Sequence, residues 1–212
     1  MMKKVCIIGI GLIGGSLAKA IKKTHQSEIV FGFGRDKSRL EKAQKSKVID
    51  QYSTDIGEAL DGANMVIIAT PVGSYESILK EIKPHIAEDM AISDVGSTKV
   101  SVVEAVKTVF EDGLDNFIPA HPIAGKEKSG FEVSDADLFI NKKVIITPLE
   151  NNNPESIKIL TKMWEEIGAE VDFMTPQSHD DLLGMTSHLP HMLAFSLVNY
   201  LISQHPEASV YA

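Results

Sequence analysis

Cysteine is almost missing. Cys6 is the only one in 212 residues, so no disulfide can form within the chain. Its place in the apolar run Val5-Cys6-Ile7-Ile8 marks it as a small core residue, and nothing requires an oxidising compartment. An excess of basic residues is also lacking, because 21 lysines and arginines face 29 acids and leave a formal charge of −8. Such a chain repels a phosphate backbone, which excludes non-specific nucleic-acid binding. No apolar run approaches the roughly 18 residues that a membrane helix needs, and glycines interrupt the stretch after Met1-Met2-Lys3-Lys4 at once. No membrane partner is expected, and a cytoplasmic protein is. Internal repeats and low-complexity tracts are absent too. What remains is ordinary globular composition, 43% hydrophobic and 24% charged. At roughly 150 residues per domain it suits one substantial domain plus a smaller piece.

Short β-branched runs alternate with longer amphipathic ones, the pattern of a parallel α/β sheet. Strands are predicted at residues 4–9, 28–33, 65–69, 90–94, 116–120, 143–147 and 170–173, mostly as continuous apolar runs, which suits strands covered on both faces. Helices are predicted at 12–23, 37–45, 73–83, 99–110 and 154–167, the last opened by Pro154 and closed by Gly168. After Thr175-Pro176 the character changes. Residues 177–184 and 190–203 read as helices with no strand following. The apolar stripe Leu189, Met192, Leu193, Phe195, Ser196 and Val198 needs a partner surface, so the sequence reads as a truncated piece or as one completed by a second chain.

Gly9-Ile10-Gly11-Leu12-Ile13-Gly14 follows a predicted strand and opens a predicted helix, the context in which a glycine fingerprint signals dinucleotide binding. Gly9 permits a tight turn, Gly11 lets a pyrophosphate approach the backbone, and Gly14 allows close helix-to-strand contact. Leu12 and Ile13 stand at the helix N-terminus, where phosphate charge is favoured. Thr70 and Pro71, past the strand at 65–69, complete the expected cofactor set with Gly34, Arg35 and Asp36. An acid about 20 residues beyond the last glycine normally holds the ribose of NAD, yet here the count reaches Gly34. Arg35 and Arg39 suit a 2′-phosphate, whereas Asp36 is near enough to serve a ribose, so NAD and NADP both stay open. The fold expected is a Rossmann-type, doubly wound, mostly parallel sheet over residues 1–175. An all-helical region follows from 176 to 212.

Two further segments fall just past strand ends, where an open parallel sheet places its active site. They are Asp94-Val95-Gly96-Ser97-Thr98-Lys99 and His121-Pro122-Ile123-Ala124-Gly125-Lys126-Glu127-Lys128-Ser129-Gly130. His121, whose side chain type titrates in the range useful for proton transfer, is the candidate base. The Ser97 hydroxyl could hydrogen-bond both the histidine and a substrate hydroxyl, or simply cap the helix behind it. His188 and His191 lie three residues apart, with His179-Asp180-Asp181 upstream. Pro190 is expected to break the helical register and the spacing is not that of a zinc set, so no metal site is expected.

With the fingerprint and Ser187-His188-Leu189-Pro190-His191, these segments resemble the prephenate dehydrogenase family, including its cyclohexadienyl and arogenate relatives. The resemblance runs in order from Lys3 to the end of the chain. It implies oxidative decarboxylation of prephenate to 4-hydroxyphenylpyruvate, or of arogenate to tyrosine, with hydride passing to a nicotinamide. His121 matches the catalytic histidine and Ser97 an orienting serine, while Lys126, Glu127 and His188 fall with them in the substrate pocket. Lys126 departs from the family, which usually has a small hydroxylated residue there. A cation at that position could hold a carboxylate of a doubly acidic substrate. Relatives continue into a longer helical domain that dimerises and carries an arginine for the substrate, so a homodimer through the helical region is expected. Two other readings compete. A different β-hydroxyacid-type dehydrogenase would rely on a lysine in the helical region, and no lysine follows Lys162. A non-catalytic sensor would bind the dinucleotide without turnover.

Overall fold

The computed structural model describes residues 1–111, 113–205 and 207. The end of the predicted helical region, Val210-Tyr211-Ala212, lies outside them. Apolar runs and amphipathic helices alternate as β1 (Met2–Ile8), α1 (Leu12–Lys23), β2 (Ser27–Phe33), α2 (Lys37–Lys45), β3 (Gln51–Ser53), α3 (Ile56–Leu60), β4 (Met65–Ile68), α4 (Tyr75–Ile82), β5 (Ala91–Asp94), α5 (Val100–Val109) and β6 (Phe117–Ile118). These six strands form one parallel sheet in the order β3-β2-β1-β4-β5-β6. The order reverses between β1 and β4, which opens a crevice at their carboxyl ends.

Burial on both faces explains the unbroken apolar strands. Along β1, Val5 and Ile7 pack with Leu17 and Ile21 of α1, while Cys6 and Ile8 pack on the other side with Leu60, Tyr75 and Val106. The period of two sends alternate residues into separate cores. Cys6 is fully buried, and burial pushes its thiol up to about 12 despite the nearby Lys4 cation.

One predicted strand is really two. Residues 116–120 divide at Pro119: β6 ends at Ile118, and β7 (Ala120–Pro122) enters a second sheet with β8 (Lys143–Ile146) and β9 (Glu170–Phe173). That sheet is mixed, with β7 antiparallel to β8 and β8 parallel to β9. Proline offers no N–H, so the ladder with β5 cannot continue through it. Two short elements, β3 and α3, escape the pattern reading because three and five residues are too few to show a period.

Between β8 and β9 runs α6 (Pro154–Glu166), capped by the Asn153 side chain, which accepts from the Glu155 N–H. Its Trp164 packs edge-on against Phe139 in the first core. The segment after β7 lies along α1: Lys19 donates to the Ser134 carbonyl, and Asp135 N–H donates to Ser16 Oγ. After β9 come α7 (Pro176–Leu183), a π turn (Gly184–His188) and α8 (Leu189–Gln204). The expected break at Pro190 is therefore absent. The wider π turn lies directly before the first turn of α8, where proline's missing N–H is tolerated, and helical backbone runs through.

Candidate active site

The fingerprint glycines sit at the crevice. Gly9 has φ +97°, and a Cβ there would meet Thr70 Cγ2 at 2.8 Å. A Cβ on Gly14 would come within 2.2 Å of the Gly9 carbonyl oxygen, so only glycine lets α1 approach β1 so closely. Gly11 is the N-cap of α1 and supplies no side-chain cap, which leaves the first turn at Leu12 and Ile13 suited to phosphate oxygens. A cleft of about 590 Å³ runs from Gly9 and Gly11 past Thr70 and Pro71 to Gly34, Arg35, Asp36 and Arg39. These features fit a dinucleotide: glycine backbone for the pyrophosphate at one end, arginines and Asp36 at the other. Asp36 is also the N-cap of α2, where its Oδ1 accepts the Arg39 N–H at 3.1 Å.

His121 is half-buried in β7, past the carboxyl end of the main sheet. Its Nδ1 lies 2.9 Å from His179 Nε2, and His179 Nδ1 lies 2.7 Å from Asp180 Oδ1. Protonation follows from donor arithmetic. A carboxylate only accepts, so His179 donates from Nδ1 and accepts at Nε2; His121 must then donate from Nδ1. In the neutral ring this leaves His121 Nε2 as a bare acceptor. Burial, with the Lys99 cation and the His179 and His188 rings, holds the His121 pKa down at about 3 against the opposing pull of Asp180. Burial also lowers His179, partly offset by Asp180.

Asp180 joins the helical region to the body. Its oxygens accept the N–H groups of Lys99 (2.7 Å) and Val100 (2.9 Å) at the start of α5. Burial pushes the Asp180 carboxyl up, but these bonds and His179 outweigh it and hold it below the usual range. The helix is thus capped from α7, and the Ser97 side chain is not its cap. Ser97 is exposed, two residues before the Lys99 N-cap. Beneath it, Lys99 and Asp94 form a fully buried ion pair. Burial lowers the Lys99 pKa, opposed by Asp94 and Asp180.

The remaining candidates are more dispersed. Lys126 is exposed and its Nζ binds Asp135 Oδ2 at 2.9 Å, while Glu127 is exposed beside it. His188 is half-buried in the π turn and contributes to the field at His121. His191 is exposed, with Nδ1 2.7 Å from the Ser187 carbonyl oxygen one helical turn back. No group of three or more His, Cys, Asp or Glu is arranged to hold a metal among the described residues. Sequence reasoning missed the contributions of His179, Asp180, Asp94 and Lys99. His179-Asp180 was visible as a motif, but its contact with His121 spans 58 positions, and no local signal announces that.

Fold and cleft define a dinucleotide-binding α/β protein whose sheet ends carry a histidine-centred polar site. Family profiles assign it further: "Prephenate dehydrogenase, nucleotide-binding domain" matches residues 17–173, and "Prephenate dehydrogenase, dimerization domain" matches 175–211. The chain belongs to the prephenate dehydrogenase family. It is 34% identical to cyclohexadienyl dehydrogenase of Zymomonas mobilis over 93% of its length and 67% of that protein. It is also 34% identical to prephenate dehydrogenase of Bacillus subtilis, over 94% of this chain and 54% of that one. The chain thus spans little more than half of the Bacillus protein. Among solved structures, prephenate dehydrogenase from A. aeolicus in complex with hydroxyphenyl propionate and NAD+ superposes with a TM-score of 0.89 at 34% identity, over 96% of this chain and 70% of that one.

Proposed function

We propose that the chain carries the cofactor site and the proton-accepting half of the substrate site of a prephenate dehydrogenase. The observation that carries this reading is the Asp180–His179–His121 chain, which leaves His121 Nε2 unprotonated at the sheet's carboxyl end. Gly9, Gly11, Leu12, Ile13 and Gly14 would hold the pyrophosphate, with Thr70 and Pro71 beside it and Gly34, Arg35 and Asp36 around the adenosine ribose. The bound nicotinamide supplies the hydride acceptor. His121 Nε2 takes the proton of the substrate's ring hydroxyl as the carbinol carbon gives up its hydride, and loss of carbon dioxide then makes the ring aromatic. Ser97 orients the hydroxyl. His179 and Asp180 fix the tautomer that this step needs. Lys126 and Glu127 flank the substrate, and a substrate carboxylate would draw Lys126 away from Asp135. His188 closes the pocket from the helical side, and a second copy packs on α8 to form a homodimer.

Absorbance at 340 nm with prephenate or arogenate, each with NAD and NADP, tests the reading. Reduction with either acid supports it and identifies the substrate. Dinucleotide binding with no reduction by any pair, including in a chain extended to the relatives' length, overturns it in favour of a sensor.

A further inference from the structure

The buried pair Asp94–Lys99 has no part in the step just described, and stability does not explain it. Both side chains are 0% exposed. Taking two charges out of water costs several kcal/mol, and a well-packed apolar pair of similar volume is often as stable or more so. What the pair does is hold backbone. At Pro119 the ladder between β5 and β6 stops, and one residue later side chains take its place. Ala120 N–H donates to Asp94 Oδ1 at 3.1 Å, and Lys99 Nζ donates to the Ala120 carbonyl at 2.7 Å. The other Asp94 oxygen accepts from Lys99 Nζ (2.5 Å), the Gly96 N–H (2.7 Å) and the Tyr75 hydroxyl (3.3 Å). Gly96 is drawn in so closely that a Cβ would lie 2.9 Å from Asp94 Oδ2. Ala120 directly precedes His121, and Gly96 directly precedes Ser97.

We infer that the Asp94–Lys99 ion pair is a positioning device that ties the Ser97 and His121 backbones to one point and so sets the two side chains against each other. The inference rests on the dehydrogenase reading above for what those side chains do. It assigns no contact with substrate to Lys99. The ammonium acts through the Ala120 peptide and through its charge, which disfavours an imidazolium at His121. The other groups bearing on that ring are His179 and Asp180 of α7 and His188 of the π turn.

Histidine-ring NMR on the chain follows His121 through a pH titration, with His121→Asn assigning its signals. The variants are Lys99→Met, Lys99→Arg and the double variant Asp94→Asn/Lys99→Met, which leaves no buried charge uncompensated. In Lys99→Met the His121 midpoint should rise because a like charge is gone, and rise less in the double variant, which also loses the Asp94 carboxylate, while Lys99→Arg stays close to the unaltered chain. Turnover at 340 nm should fall at least about tenfold in the Met-bearing variants and be kept by Lys99→Arg, with dinucleotide affinity unchanged in all three. A folded double variant that keeps the turnover of the unaltered chain overturns the inference, as does a Lys99→Met chain whose His121 titrates unchanged. So does a double variant that cannot fold, since the pair would then serve stability. Failure of the dehydrogenase reading shows separately, as absence of turnover both by the unaltered chain and by one extended to the relatives' length, on which the NMR result does not depend.

Discussion

The α/β body and the helical tail bury their apolar residues to very different degrees. In the body, both faces of the main sheet are sealed, and Ile7, Leu17, Phe117 and Trp164 are fully covered. In the tail, α8 has no buried residue at all, and Met192, Leu193, Phe195 and Tyr200 each expose more than 60% of their surface. No described helix is long and apolar enough to cross a membrane. The body satisfies its hydrophobic pattern from within, whereas the tail's needs a surface that a single copy of the described residues does not supply. Among the described residues of the tail, only His179 and Leu183 of α7 enter the packed interior, and there they meet the site.

The sharpest break is expected inside the body. Gly14→Val drives a side chain into the Gly9 carbonyl and should abolish dinucleotide binding in a calorimetric titration, while α8 keeps its helicity. Next, His121→Asn should lower turnover at least about a hundredfold with dinucleotide affinity nearly intact, the scale of losing a general base. The same variant should flatten the pH dependence of stability. The folded His121 pKa is depressed to about 3 from 6.5, so unfolded chains bind more protons between those values. Its contribution is full above pH 6.5 and is lost as pH falls from there toward 3. Melting curves across that range would show a flatter profile for the variant.

Smaller effects probe the join. Asp180→Ala removes the cap of α5 and the anchor of His179, and should cost about 1–2 kcal/mol in denaturant unfolding while lowering turnover but not dinucleotide affinity. Equal losses in affinity and turnover would mean that the tail supports the whole body rather than the histidine. Arg35→Ala should weaken NADP binding and spare NAD if the arginine faces a 2′-phosphate; equal effects remove it from that role. Phe195→Glu should change only the tail, reducing self-association in sedimentation while leaving dinucleotide affinity unaltered. A variant that stays as associated as the original chain would put the contact elsewhere.

Legibility differed between the two halves of the site as well. The cofactor side is written locally: strand, glycine fingerprint and helix occupy consecutive positions from Met2 to Lys23, and steric need at Gly9 and Gly14 leaves a mark in the sequence itself. The histidine side is assembled from residues 94, 99, 121, 179 and 180, which only folding brings together. Pro119 was visible, yet its effect was not. Whether a proline ends a strand or redirects it into another sheet depends on what waits beside it, here β8 and the Asp94–Lys99 pair.

By itself the sequence determined the alternation of elements, the parallel main sheet and the dinucleotide loop, because these follow from periodicity and from backbone sterics within a few residues. Tertiary structure alone decided the division of residues 116–122 between two sheets, the passage of helical backbone through Pro190, and the protonation pattern that leaves His121 Nε2 bare. Those depend on partners tens of positions away, and hydrogen bonds and charge fields act through space without regard to distance along the chain.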